Sequence, residues 1–178
     1  MRNLLLPVLA ILLLHLPGNS NQPSAADRWA SYRFLMGDWV GEEDGQVRPG
    51  KGRFSFAPEL QGRILVRKNR ADFPASAGGP AFSHEDLLII YQEDGSKEQK
   101  AIYFDSEGHV IPYTPAASPD GQTLTLVSEV KTSAPRYRLT YTKQEGARAR
   151  VKFEVAPRGK PDAFKTYLEG TVRRTKQP

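Results

Sequence analysis

Three stretches late in the chain alternate apolar and polar residues with a period of two. In "RYRLTYT" Tyr137, Leu139 and Tyr141 alternate with Arg136, Arg138 and Thr140. In "ARVKFEVAP" Val151, Phe153 and Val155 alternate with Arg150, Lys152 and Glu154. In "FKTYLEGTVRR" Phe164, Thr166, Leu168 and Val172 fall on one face. Successive side chains of a strand point to opposite sides of a sheet, so this period predicts strands with one face buried and one wet. "DLLIIYQ", Asp86 to Gln92, is apolar on both faces, which predicts a strand covered outside as well, as by a partner subunit.

Turn-forming clusters punctuate the runs: Glu93-Asp94-Gly95, Ser106-Glu107-Gly108, Ser118-Pro119-Asp120-Gly121 and Gln144-Glu145-Gly146. Between them the pattern predicts about ten strands, over 37–44, 51–58, 62–70, 84–92, 98–105, 109–115, 122–130, 136–143, 148–156 and 164–174. No helix-length pattern separates them, so neighbours must run antiparallel. A sheet of that size closes or splits, because closure removes the exposed edges. The expected fold is all-β, an up-and-down antiparallel barrel of about ten strands, with a two-sheet sandwich as the alternative. Only "DRWASYRFLM" looks helical. Asp27 is placed to cap it, Trp29, Tyr32 (or Arg33) and Met36 lie near one stripe, and Gly37 ends it.

In a meander the connections alternate between the two barrel ends. The longer links, before Ser83 and through "PRGKPDA", fall at one end, which is therefore the expected mouth. The other end receives the start of the first strand and the finish of the last. Trp39 lies there beside the short helix, which is expected to close the barrel. So does Arg174, which strand parity with Leu168 and Val172 turns inward, toward the face of Trp39. Gly37 and Gly41 share the face of Trp39 and leave room around the ring.

"MGDWVG" resembles the Gly-x-Trp signature on the first strand of lipocalin-like (calycin) barrels. In those barrels a short helix precedes the tryptophan and a late basic residue packs across it, an arrangement that Gly37, Trp39 and Arg174 match. The strand count is more similar to intracellular fatty-acid-binding and nitrobindin-type barrels than to eight-stranded lipocalins. The chain looks most like the secreted lipocalin-like domains of bacteria. The resemblance covers 27–175 and implies a barrel with an internal cavity. Nitrobindin-type barrels hold haem through a histidine on a late strand. This chain has no histidine after His109, so haem is not expected. Fatty-acid-binding barrels clamp a carboxylate with interior arginine and tyrosine. Here Arg136 and Arg138 are expected to face out, and Lys165 and Tyr167 have parity opposite to the apolar face.

Composition adds an address. Arg2 precedes a run from Leu4 to Leu16 that is apolar except for His15, followed by small residues at Gly18 and Ser20, the order of a secretory signal peptide. The run is shorter than the roughly 20 residues that span a bilayer. Cleavage is expected after Ser20, or as late as Ala26. The signal peptide predicts a secreted or periplasmic location; the absence of cysteine excludes disulfides and a lipidated cysteine and is more typical of a bacterial periplasm than of an animal secretion route. The net charge of +5 is spread over interleaved lysine, arginine and acids, so no nucleic-acid partner is expected.

The candidate chemistry is sparse. His84, Asp105 and His109 lie at strand ends on the mouth side, where leaning side chains can converge on a metal or act as acid and base. Glu85, Asp86 and Glu107 are near them. Tyr137 and Tyr141 are expected to face into the barrel. The acidic run Glu42-Glu43-Asp44 lacks the spacing of a calcium loop. No Ser/His/Asp signature, phosphate-binding glycine loop or metal-protease helix is present. The preferred reading is a barrel that binds a small, apolar or lipid-like molecule, with no resident metal or cofactor. Two alternatives remain: an acid/base or metal-dependent enzyme using the His/Asp cluster, and a protein-interaction barrel using the outer face of Leu87 to Tyr91.

Overall fold

The structure, a computed structural model, describes residues 28–42, 51–76 and 79–175. The proposed signal peptide, the Asp27 cap and the acids Glu43 and Asp44 lie outside the described residues. Ten strands form one closed antiparallel barrel. They are β1 (Gly37–Gly41), β2 (Lys51–Glu59), β3 (Ile64–Phe73), β4 (Phe82–Gln92), β5 (Gln99–Asp105), β6 (Val110–Ala117), β7 (Thr123–Ser128), β8 (Arg136–Gln144), β9 (Arg148–Ala156) and β10 (Lys165–Arg174). Each strand pairs with the next in sequence, and β1 pairs with β10 to close the sheet. This is the up-and-down barrel expected from the alternation, and its architecture is compatible with a lipocalin-like fold.

The register assigns each side chain to the bore or the outside. One ladder row runs Arg174, Trp39, Phe54, Asn69, Asp86, Asp105. The next row in the bore runs Phe56, Arg67, Leu88, Tyr103, Ile111. Trp39, Phe54, Phe56 and Leu88 are buried core residues, so both rows face inward.

The lower half of the bore is closed to solvent. Leu65, Ile90, Leu124, Leu126, Tyr141 and Ala149 have no accessible surface. Beneath them lies a 3₁₀ helix, Ala30–Leu35. Its buried residues Tyr32 and Leu35 follow the buried N-cap residue Trp29 at a spacing of three. The sequence pattern had placed Met36 on that stripe, at α-helical spacing. A 3₁₀ turn has three residues per turn, so Leu35 takes the core position and Met36 sits at the edge of the cluster. The Trp29 Nε1–H donates to the Gly62 carbonyl at 2.9 Å and ties the helix to the β2–β3 turn. Tyr32 OH meets Gln99 Oε1 at the start of β5.

Two further departures have local causes. β3 and β4 continue past the expected ends, so Phe73 pairs with Phe82 and the link between them shrinks to 74–81. In β10 the register shifts between Thr166 and Leu168, leaving Tyr167 as an extra residue. A one-residue bulge reverses the facing of everything beyond it. Thr166 therefore pairs with Glu154 on the outer face and Leu168 with Phe153 on the inner one, and the four apolar positions of that stretch do not share a face. By the same shift Lys165 pairs with inward-facing Val155.

Candidate functional site: a polar wall inside the barrel

Above the closed half, the bore has two unlike walls. On β8 and β9, Tyr137, Leu139, Val151 and Phe153 face inward by register. All four are only half-buried. An inward-facing side chain gains accessible surface only if solvent enters the barrel, so the bore is open along this wall. Tyr137 and Phe153 stack at 5.9 Å, and the exposed Tyr167 ring meets Phe153 edge-on at 5.9 Å.

The facing wall, on β3 to β5, is polar. Arg67 Nη1 donates to Asp86 Oδ1 at 2.5 Å, and their side chains are 9% and 4% exposed. Asp86 Oδ2 also accepts from Asn69 Nδ2 at 2.8 Å. His84 Nε2 lies 3.2 Å from the same oxygen and 3.3 Å from Tyr103 OH. His84 Nδ1 lies 2.9 Å from Glu107 Oε2. Both imidazole nitrogens thus face a carboxylate, and both contacts become hydrogen bonds only when both nitrogens carry protons.

Burial acts to lower the pKa of Arg67, but the carboxylate of Asp86 and the surrounding tyrosines outweigh it, and the guanidinium is held charged. Burial raises the phenols of Tyr103 and Tyr113 well above their ordinary value and that of Tyr141 to about 12. All three remain protonated donors at neutral pH. The Arg67 guanidinium lies 5.3 Å from the Phe54 ring and 6.0 Å from the Tyr141 ring. Two polar atoms here are fully buried without a partner, Arg67 Nε and Tyr141 OH. An unpaired buried polar group costs about 1–3 kcal/mol. The aromatic contacts offset part of that for the guanidinium, by about 0.5–2 kcal/mol.

His84, Asp105 and His109 sit toward the mouth in two linked groups. His84 belongs to the polar wall. His109 Nδ1 lies 2.8 Å from Asp105 Oδ2. Asp105 Oδ1 accepts the backbone N–H groups of Glu107 and His109 at 3.1 and 2.9 Å, so this carboxylate shapes the β5–β6 turn. Burial acts to raise the pKa of Asp105, but these bonds prevail and hold it below the usual carboxylate range. Ligand atoms of Asp105, Glu107 and His109 lie within 4.8 Å of one another, and Glu107 joins this group to His84. Tyr141 belongs to the buried floor of the bore, whereas Tyr137 lines its open wall.

Arg67 is the residue that sequence reasoning missed. β3 carries charges at Arg67, Lys68 and Arg70, on both faces, so no alternation marks one of them as internal. The signal was available only through pairing: Arg67 stands opposite Phe56 and Leu88.

At the floor, the Arg174 guanidinium carbon lies 5.0 Å from the Trp39 ring centroid, and Nη2 donates to the Phe34 carbonyl at 2.6 Å. Trp39 Nε1–H donates to the Leu35 carbonyl at 2.8 Å. Gly37 adopts φ +98°, a conformation that side chains disfavour. A Cβ there would meet Arg174 Cδ at an ordinary 3.9 Å, so conformation rather than space explains this glycine.

Outside the barrel, the link before β10 is strapped to the wall. Arg136 Nη1 bonds Asp162 Oδ1 at 2.8 Å, and Phe164 lies 4.2 Å from the Arg138 guanidinium carbon and 5.7 Å from that of Arg136. Arg136 and Arg138 thus face out, as the parity of β8 predicts. A groove of about 740 Å³ across β1 to β5 is lined by the outward-facing Val40, Arg53, Arg70, Leu87 and Phe104 and also by Asn69, Asp86 and Asp105 of the inward row. Arg67 and His84 are not among its lining residues. Leu87 is in register with Phe104, and Phe104 with Val110, and the last two are exposed.

No protein-family profile matches the chain. No curated protein matches it either. Among the described residues, no helix is long and apolar enough to cross a membrane.

Proposed function

We propose that the protein is an exported, lipocalin-like barrel that binds a small, largely apolar molecule in the open half of its bore. The signal-peptide pattern of the first 20 residues, or as many as 26, supports export to a periplasmic or secreted location, leaving 27–175 as the binding domain. The observation that carries the binding reading is the buried Arg67–Asp86 pair, set in a polar wall that faces the half-buried apolar wall of β8 and β9. Such a pair contributes little to stability. Its Coulomb attraction at an effective dielectric of about 20 is about 4 kcal/mol at 4 Å separation, while desolvation costs several kcal/mol per ion. A well-packed apolar pair would hold the fold as well, so recognition is the better account of its presence. The half-buried wall of Tyr137, Leu139, Val151 and Phe153 supplies the apolar surface. The test is displacement of a hydrophobic fluorescent dye from the purified chain by lipids of several classes. Failure of every class to displace it, or of the dye to bind, refutes the reading.

A second reading has one observation in its favour, the convergence of Asp105, Glu107 and His109 beside His84. It assigns the rim to a divalent metal or to acid/base work. Metal analysis of the purified chain, with thermal shifts for His84→Ala and His109→Ala in added zinc, decides it. No bound metal and no metal-linked or ligand-linked shift ends that reading.

A further inference from the structure

We infer that the barrel selects a neutral ligand bearing a hydrogen-bond-accepting oxygen, such as an ester, ketone or amide, and rejects the corresponding carboxylate. The inference deepens the binding reading above and rests on it. It begins with charge. Arg67 is the one cation buried in the bore among the described residues, and Asp86 already takes its charge at 2.5 Å. Asp86 has no spare capacity to move aside, since Asn69 and His84 also hold it. An anionic head beside Arg67 would sit against the carboxylate of Asp86, with Glu107 and Asp105 further along the same wall. Like charges at that range in a poorly solvated site are unfavourable, and an anion has no free cation to gain there.

Hydrogen bonding points the same way. The two unpartnered buried atoms, Arg67 Nε and Tyr141 OH, are both donors in their prevailing protonation states. The two side chains are neighbours, with the guanidinium carbon 6.0 Å from the Tyr141 ring. Donors without acceptors are complemented by an oxygen that brings lone pairs and no charge. Neither atom touches solvent as the side chains stand, so binding requires the half-buried His84 and Tyr103 of the polar wall to move aside for the oxygen to reach them. The ligand's apolar body then lies against the stacked rings of Tyr137 and Phe153.

The test compares 11-(dansylamino)undecanoic acid with its methyl ester, two probes that share one body and differ in the charge of the head. Binding to the full chain is followed by dansyl fluorescence, in wild type and in Tyr141→Phe. The ester is expected to bind about 10-fold or more tightly than the acid. Tyr141→Phe is expected to weaken the ester about 3- to 10-fold and to leave the acid unchanged, because it removes one hydrogen bond to the head. Its melting temperature should not fall, since the hydroxyl has no protein partner to lose. An acid that binds as tightly as the ester, or more so, overturns the inference and leaves the binding barrel standing. So does an ester affinity indifferent to Tyr141→Phe, the result expected if a trapped water alone satisfies that hydroxyl. If neither probe binds, the binding reading itself falls, and this inference with it.

Discussion

The floor of the barrel and the middle of its bore are built on opposite terms. At the floor, Trp29, Tyr32, Leu35 and Trp39 are buried, and each of the two indole N–H groups has a carbonyl. Arg174 rests at the edge, against the Trp39 ring, with its own carbonyl partner. One turn higher, two full charges are buried against each other and two polar atoms go without a partner. Apolar burial contributes about 25 cal/mol for each Å² removed from water, and the floor gains from it with little desolvation to offset. The polar wall carries desolvation costs that its contacts roughly cancel. The lesson is that apolar burial holds the floor, whereas the polar wall, joined to it through Phe54, adds little to stability and is the part left for the proposed recognition.

The contrast can be broken first by removing one member of each. Trp39→Ala should cost about 3–5 kcal/mol, through lost burial and a cavity beside Phe54. Arg67→Met should cost a similar amount, about 3–5 kcal/mol, for a different reason: it strands the Asp86 carboxylate. The two are told apart by repair. The double variant Arg67→Met, Asp86→Leu should recover most of the loss, since no charge is left buried. Urea denaturation measures all three, and a double variant no more stable than Arg67→Met would show that the polar wall holds the fold after all. A smaller effect is expected for Arg174→Ala, about 0.5–2 kcal/mol from the ring contact. A loss above that range would mean that the guanidinium seals the floor rather than decorating it.

The smallest expected effect is a pH dependence spread over carboxylates outside the floor. The hydrogen bond from Arg138 lowers the pKa of Glu154 against the opposing effect of burial, and Lys152 adds to it. Asp105 is lowered on balance too. A carboxyl group depressed in the folded state contributes stability above its unfolded pKa, and that contribution disappears as pH falls through the folded value. Stability should therefore hold from neutrality to about pH 4, the unfolded carboxyl range, and decline below it. Glu154→Gln should flatten the decline, as read from denaturation midpoints across that range. An unchanged acid slope would remove the Arg138–Glu154 pair from the account.

Much of the architecture was legible because it is written in a local period. Alternation in β8 and β9, turn clusters at Gly95, Gly108 and Gly146, and the absence of crossover helices lead to an antiparallel meander, and a meander of ten strands closes. The candidate site was legible only in part. Strand-end positions put His84, Asp105 and His109 on one side, and alternation turned Tyr137 and Tyr141 inward. Glu107 as the bridge between His84 and the β5–β6 turn depends on a tight loop whose geometry no period encodes.

What the sequence determined by itself, then, was what repeats every two residues: strand identity, strand order and the inward set on regular strands. The tertiary structure alone decided which charge lies inside, because Arg67 sits in a strand with charges on both faces and its side is set by pairing with Phe56 and Leu88. It also decided the facing of the start of β10, where a single extra residue at Tyr167 reverses every side chain before it. Both depend on register, a relation between strands, and register is fixed by the whole closed sheet rather than by any one stretch of chain.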